Sequence, residues 1–370
     1  MNIGYEAKRV FHNKTGLGNY SRDLIRILNA EFPNNNYFLY NPKVARNELF
    51  EVNNVTTFEK NPNSFFYKKF KNIWRQKGII KDLIKDKIEI FHGLSGELPS
   101  GLRKSKIKSV VTIHDLIFMR YPEFYSFFDR KIHIYKFRKS ARQANIVIAI
   151  SEQTKADLIQ FLDIPESKIK VIYQGCQNVF KESYSDQEKE LVSKKFNLPN
   201  EFILNVGTIE ARKNILAVVK AITNIDTHLI IVGGETSYTT GIKKYILENK
   251  IENKIIFLKG LSSKELAIVY QLATIFVYPS LFEGFGIPII EALYSKTPVI
   301  TTNSGVFPEA GGADSVYVDP NNIHELQEKI QLLLTNEKLR TEMAEKGFNF
   351  VQKFNDKTIA NQVMALYKLL

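Results

Sequence analysis

A chain of 370 residues, 44% hydrophobic and 24% charged, has the composition of a soluble globular protein long enough for two domains with separate cores. Its net charge of +12 is uneven: 30 Lys/Arg stand against 17 Asp/Glu through Lys170, and 21 against 22 after it. One cysteine, Cys176, excludes an internal disulfide framework, and the absence of a signal-like start or of a window with about 18 apolar residues leads to the expectation of a cytoplasmic protein.

In chain order, Asn2 to Tyr5 reads as a first strand. After a loop, T-G-L-G-N-Y-S-R-D-L-I-R-I-L opens a helix whose apolar face is Leu24, Ile25, Ile27 and Leu28. Gly16-Leu17-Gly18 resembles a dinucleotide fingerprint only superficially, because Ser21 stands where the third glycine belongs and the turn is too far from the strand. A loop facing phosphate or acceptor and a plain helix entry are both compatible with it. Strands are expected at Tyr37 to Tyr40 and Val55 to Phe58, and a helix over about Phe65 to Lys85.

That helix begins the basic half of the chain. Lys68, Lys69, Lys71, Arg75, Lys77 and Lys81 interleave with Phe65, Phe66, Tyr67, Phe70 and Trp74, and a second group around Arg130, Lys131, Lys136 and Lys139 interleaves with Phe127, Phe128 and Tyr135. Such a surface suits anionic lipid headgroups, a phosphate-bearing acceptor, or nucleic acid. A solvated helix face over ordinary core aromatics is the plainer reading. Between the groups, strands Ile88 to Phe91 and Ser109 to Ile113 end in His92 and His114. In an open parallel sheet those carboxyl ends line the ligand crevice, so both histidines are placed to face a substrate unless backbone bonds hold them in the core.

Asn145 to Ile150 is a further strand, Ser151 caps the next helix with Thr154 where a capping-box glutamate often stands, and Lys170 to Tyr173 closes residues 1–175 as a first domain. Gln174 to Gln177 and the polar run Lys181 to Lys195 read as a hinge. Residues 176–353 repeat the alternation. Strand Phe202 to Val206 leads to the turn Gly207-Thr208, and Arg212-Lys213-Asn214 opens the helix from Ile215. A guanidinium that binds two oxygens, beside a point-charge ammonium at a helix start, suits a diphosphate. Strands follow at Leu229 to Val232 and Ile255 to Leu258, then a helix from Ser262 with Glu265 completing a capping box.

Next, Thr274 to Tyr278 is a buried strand closing at Pro279-Ser-Leu-Phe-Glu-Gly-Phe-Gly-Ile-Pro-Ile-Ile-Glu-Ala. Here Glu283 and Glu291 lie on either side of a glycine-rich helix start, with Gly284 and Gly286 leaving the backbone bare and Pro288 in the first turn. Free N–H groups at such a terminus attract anions. A strand Pro298 to Thr301 and helices His324 to Leu334, Glu337 to Lys353 and Asp356 to Leu370 complete the chain.

Taken in order, F-I-L-N-V-G-T-I-E-A-R-K-N, L-I-I-V-G-G, Y-P-S-L-F-E-G-F-G-I-P-I-I-E-A and F-P-E-A-G-G resemble the donor-binding half of glycosyltransferase family four. T-G-L-G-N-Y-S, T-I-H-D-L, I-S-E-Q-T and V-I-Y-Q-G are similar to the first half of its bacterial mannosyltransferase-like members. The resemblance implies an α/β GT-B fold: Rossmann-like domains over 1–175 and 176–353 facing across a cleft, with the helix of 354–370 returning to the first. It also implies a metal-independent, cofactor-free, retaining transfer from a nucleotide-sugar to a glycan or lipid-linked saccharide. Glu283, His114, Arg212 and Lys213 would be the catalytic group, with Glu283 on a sugar hydroxyl. Gly16, Gly18, Gly207, Thr208, Arg212, Lys213, Gly284, Phe285, Gly286, Ile287 and Glu291 would bind the donor, Glu291 through the ribose. The chain departs from the family at Ser295-Lys296-Thr297, where a glycine usually precedes Thr-Pro-Val, and at Cys176-Gln177, where Val-Asp is usual.

GDP-mannose as donor, no nucleic acid as partner, and peripheral contact of the basic domain with an anionic inner membrane face are the remaining expectations. Rival readings are a nucleotide-sugar epimerase on the same fold and, outside the enzymes, a nucleic-acid-binding protein.

Overall fold

A computed structural model describes residues 1–44, 49–52 and 54–370. Contacts divide the chain into two compact units, Met1–Gly175 with Phe354–Leu370, and Cys176–Lys353.

In the first unit the strands are β1 (Asn2–Glu6), β2 (Asn36–Tyr40), β3 (Thr57–Lys60), β4 (Ile90–Gly93), β5 (Lys108–Ile113), β6 (Ile146–Ala149) and β7 (Ile169–Val171). They form a 7-stranded sheet in the order β3-β2-β1-β4-β5-β6-β7, every pairing parallel. Because helices cover both faces of such a sheet, its inner strands are apolar almost throughout; Val110, Val111 and Ile113 of β5 are all fully buried. The order reverses between β1 and β4, so the carboxyl ends of these neighbours border a crevice of the kind that binds ligands.

The second unit holds β8 (Phe202–Val206), β9 (His228–Val232), β10 (Ile255–Leu258), β11 (Ile275–Tyr278), β12 (Val299–Thr302) and β13 (Val316–Val318). Their order is β10-β9-β8-β11-β12-β13, again parallel, with the reversal between β8 and β11.

The last helix, Asp356–Lys368, packs within the first unit: Asp356 meets Arg26 at 2.8 Å, and Ile359, Val363 and Met364 join the core around Ile3, Tyr5 and Leu24. Its Tyr367 hydroxyl hydrogen-bonds Nδ1 of His92 at 2.6 Å, while the other ring nitrogen bonds Thr112 Oγ1 at 2.8 Å. His92 is fully buried, and that burial, helped by His114, pushes its pKa down to about 3. The expectation that His92 faces a substrate is therefore corrected. It is a neutral core histidine that ties β4 to the final helix.

Other local expectations shift for identifiable reasons. The run placed as a hinge, Lys181 to Lys195, holds most of the helix Asp186–Phe196, which starts at a full capping box between Ser185 and Glu188. Its polarity reflects one solvated face. The single helix expected over Phe65 to Lys85 is broken into Phe65–Lys69, Lys71–Ile73, a π-helical turn Trp74–Gly78 and Ile79–Lys85. Within it Trp74 is buried with its indole N–H on Asp82, and Tyr67 lies against Gly78 so closely that a Cβ there would come within 2.6 Å. β3 begins at Thr57 rather than Val55, which is left 91% exposed.

Candidate functional site

In the second unit the loops at the switch point are bound to one another through backbone. Gly207, directly after β8, has φ 146, a value that glycine adopts without strain. Its N–H donates to Val232 at the end of β9, and a Cβ on Gly233 would lie 1.9 Å from the Gly207 carbonyl. The turn continues to Ala211–Lys213 and, through Asn214 in the left-handed region at φ 55, into the helix Ile215–Ala221. From the loop after β11, Leu281 N–H donates to the Arg212 carbonyl at 2.9 Å. This bond brings residues some seventy positions apart in sequence into one cluster.

Glu283 is the centre of that cluster. Lys213 Nζ reaches Oε1 at 2.5 Å, Arg212 reaches Oε2 at 2.9 Å, and the Tyr278 hydroxyl donates to Oε1 at 2.9 Å. Lys213 also donates to the Tyr278 oxygen and lies 4.8 Å from that ring's centre. Arg212 further bonds Glu210 and the Phe282 carbonyl, each at 2.6 Å. Burial alone would raise the Glu283 carboxyl; Lys213 and Arg212 outweigh it and hold the pKa near about 2. The same contacts raise Arg212, against the opposing effect of its burial.

Glu291 behaves differently. It lies one turn into the helix Ile287–Tyr294, which Gly286 opens at φ 101 with Pro288 in the first turn. Burial pushes its pKa up to about 7, and a 3.0 Å bond from the Tyr270 hydroxyl offsets only part of this. Two carboxylates eight positions apart thus sit in opposite electrostatic environments, one locked ionised and one poised to take up a proton.

The remaining donor-side residues fall around this frame. Gly284, Phe285, Gly286 and Ile287 form the approach to the helix and its first residue, and Phe285 is buried. Thr208 is exposed beside Gly207. At the helix end, Lys296 occupies the left-handed region at φ 56, with its N–H bonded to Leu293 and that of Thr297 to Ala292. That is a helix-end conformation favouring glycine, so Lys296 holds it at a steric cost that glycine would not carry.

In the first unit, His114 follows β5. Its Nε2–H donates to the Leu94 carbonyl at 2.9 Å, and its ring stands edge-on to Tyr20 at 4.5 Å. Burial lowers its pKa to about 4, so the imidazole is neutral near pH 7 with the proton on Nε2. Gly18, in the first turn of the helix Gly16–Glu31, is required by space: a Cβ would lie 1.9 Å from the Asn13 carbonyl. Gly16 has no such crowding.

Sequence reasoning missed Tyr278, Tyr270, Glu210 and Asn13. Tyr278 had a usable signal, as the last residue of a strand whose end borders the crevice. Asn13 accepts from the Thr15 and Gly18 N–H groups at 2.9 and 3.1 Å and so shapes the glycine turn.

Comparison with known proteins places both halves of the chain in one family. A family model described as Glycosyl transferases group 1 matches residues 186–350, and one described as Glycosyltransferase Family 4 matches residues 15–177. The chain is 24% identical to O-antigen chain mannosyltransferase B of Escherichia coli over the full length of both. It is 31% identical to the O-antigen chain mannosyltransferase RfbU of Salmonella typhimurium over 60% of this chain and 59% of that one. Among solved structures, HepE from Anabaena in complex with UDP and glucose matches with a TM-score of 0.77 at 15% identity, covering 100% of this chain and 99% of the other. That likeness identifies the paired parallel sheets as the GT-B fold. With one family model on each half, the chain belongs to the glycosyltransferases of family four.

Proposed function

We propose that the protein transfers mannose from GDP-mannose to a saccharide of a bacterial surface polysaccharide, with retention of configuration and without a metal ion. The observation that carries this reading is the buried Arg212–Lys213–Glu283–Tyr278 cluster at the carboxyl edge of the second sheet, beside the glycine-opened helix that bears Glu291. The names of the two O-antigen mannosyltransferases support mannose, and the UDP and glucose in the HepE structure support a nucleotide-sugar donor.

Each residue has a chemical part. Lys213 spends two of its three N–H bonds on Glu283 and Tyr278, leaving one for a phosphate oxygen, and the Arg212 fork lies alongside it. These charges stabilise the diphosphate as the bond from its oxygen to the anomeric carbon breaks. Glu283 orients both cations and accepts from a sugar hydroxyl. Held near about 2 and already accepting three donors, it is a weak nucleophile, which favours same-face attack over a covalent sugar–enzyme intermediate. The acceptor oxygen then bonds the anomeric carbon while its proton passes to the leaving phosphate. Neutral His114, with Nδ1 as its acceptor nitrogen, positions a sugar hydroxyl. Glu291 accepts from the ribose hydroxyls.

A thermal-shift panel of UDP-, GDP- and ADP-sugars tests the donor directly. GDP-mannose is expected to raise the melting temperature most and to be slowly hydrolysed. Stabilisation by none of them overturns the reading. Interconversion of GDP-sugars with no acceptor present would establish an epimerase instead.

A further inference from the structure

The bonds of His92 continue past the final helix. In the first unit a single file of side chains runs from Tyr5 to the candidate catalytic His114. The Tyr367 hydroxyl donates to the Tyr5 oxygen at 3.4 Å and meets Nδ1 of His92 at 2.6 Å. Nε2 of His92 meets Thr112 Oγ1 at 2.8 Å, and the same oxygen lies 3.1 Å from the Tyr20 hydroxyl. The Tyr20 ring stands edge-on to the His114 imidazole, with centres 4.5 Å apart. Tyr5, Tyr367, His92 and Thr112 are all buried, so bulk water does not compete for these bonds.

Counting protons gives the file one direction. Tyr367 gives its proton to Tyr5, so it accepts from His92, which places the imidazole proton on Nδ1. Nε2 is then an acceptor: Thr112 donates to it, and Thr112 in turn accepts from Tyr20. Burial keeps both histidines neutral near pH 7 and raises the Tyr20 pKa to about 12, so every member holds the proton that this order needs. His92 and His114 thus carry opposite tautomers on the neighbouring strands β4 and β5, the first protonated on Nδ1 and the second on Nε2.

Three contacts fix His114. Thr154 Oγ1 donates to its carbonyl at 3.2 Å and is itself held by Ser151 at 2.9 Å, a use for threonine at a helix position where glutamate is common. The Leu94 carbonyl accepts from Nε2–H at 2.9 Å. A backbone anchor and one hydrogen bond leave the imidazole free to swing about that bond, and the Tyr20 ring removes this freedom. Leu94 lies two residues beyond His92, so both contacts on the ring trace back to the same buried histidine.

We propose that Tyr367, His92, Thr112 and Tyr20 are positioning residues for His114: through this file of hydrogen bonds the final helix sets the plane in which the imidazole presents Nδ1 to a sugar hydroxyl. The proposal rests on the transferase reading for that hydroxyl and adds that the final helix completes the site in the first unit. Removing the Tyr367 hydroxyl has two possible results. Either Nδ1–H of His92 is buried without an acceptor, or every proton in the file reverses and the Tyr20 proton loses its own. Both loosen Tyr20 against His114.

Two-bond proton–nitrogen NMR on the full chain with isotope-labelled histidine reads the tautomer of each of the 6 histidines, and His114→Gln assigns one of them. Tyr367→Phe should move His92 away from the Nδ1–H pattern and shift the His114 ring resonances; Tyr20→Phe should shift His114 as well. Tyr37→Phe removes a hydroxyl of the same core that bonds the Leu28 and Phe32 carbonyls instead, and should lower the melting temperature without altering His114. In GDP-mannose turnover, Tyr367→Phe should lower kcat about tenfold with KM within about twofold, and should have no further effect in a His114→Ala background. His114 resonances unchanged in Tyr367→Phe and Tyr20→Phe, or shifted as far by Tyr37→Phe, overturn the proposal, as does full additivity of Tyr367→Phe with His114→Ala. Absence of turnover in the wild type counts against the donor reading alone and leaves the NMR result to decide the positioning. Should Tyr367→Phe fold poorly, Tyr20→Phe, at the half-buried other end of the file, decides the same question.

Discussion

The two units hold their positive charge in opposite ways. Around Glu283 the cations are largely enclosed and matched: Arg212 and Lys213 each touch the carboxylate, and Glu210 adds a second counter-ion. In the first unit, a cavity of about 660 Å³ is lined among the described residues by Lys8, Arg75, Lys131, Lys136 and Lys139 against the one carboxylate Glu97, and Lys8 and Lys131 are exposed. A matched buried cluster is preorganised and rigid, suited to charge that develops during bond breaking. An unmatched open one attracts an anion by its field and tolerates loosely defined partners.

Breaking the matched cluster should have the largest effect. Glu283→Gln leaves Arg212 and Lys213 short of a counter-ion, so stability near pH 7 should fall by about 3 kcal/mol in urea denaturation, and donor hydrolysis by about 100-fold. The pH dependence follows from the depressed pKa. The carboxylate's contribution is present above its unfolded value of about 4.5 and is lost as pH falls through about 2, so variant and wild type should converge across that window. Equal stability at pH 7 would mean that the ion pairs only offset their own desolvation.

Glu291→Gln should act with the opposite sign. With the folded pKa raised to about 7, the wild type is favoured below the unfolded value and loses that contribution as pH rises through 7. The variant should match it at pH 4 and exceed it by up to about 3 kcal/mol at pH 8. Nucleotide affinity should strengthen from pH 6 to pH 8 in the wild type and stay flat in the variant. A persistent step in the variant would assign the titration elsewhere. His114, lowered to about 4, should contribute no step across that range.

Smallest of all, Lys296→Gly relieves a left-handed residue at a helix end and should raise stability by less than about 1 kcal/mol with turnover unchanged. Altered turnover would show that the helix bearing Glu291 transmits changes from its far end.

Much of this was legible in the sequence, for physical reasons that differ by element. β8, β10 and the helix from Ser262 were readable because buried parallel strands are continuous apolar runs and a capping box has fixed spacing. Ser185 and Glu188 carried the same capping signal, masked by the charge of the solvated face behind them. Glu283, Arg212 and Lys213 stand out in the sequence by their glycine-rich surroundings. Their direct pairing was not, because it depends on the Leu281–Arg212 backbone bond between distant loops. Nor does local pattern distinguish His92 from His114: both end strands and both are buried, but His92 is tied by Tyr367 to the final helix, whereas His114 is held by the Leu94 carbonyl of its own unit's loop.

The most direct test of the central claim is the turnover of GDP-mannose by Arg212→Ala and Lys213→Ala beside the wild type, with folding checked by melting temperature. The account predicts a loss of about 100-fold or more in each variant, several kcal/mol of transition-state stabilisation. Turnover undiminished in either folded variant would contradict it.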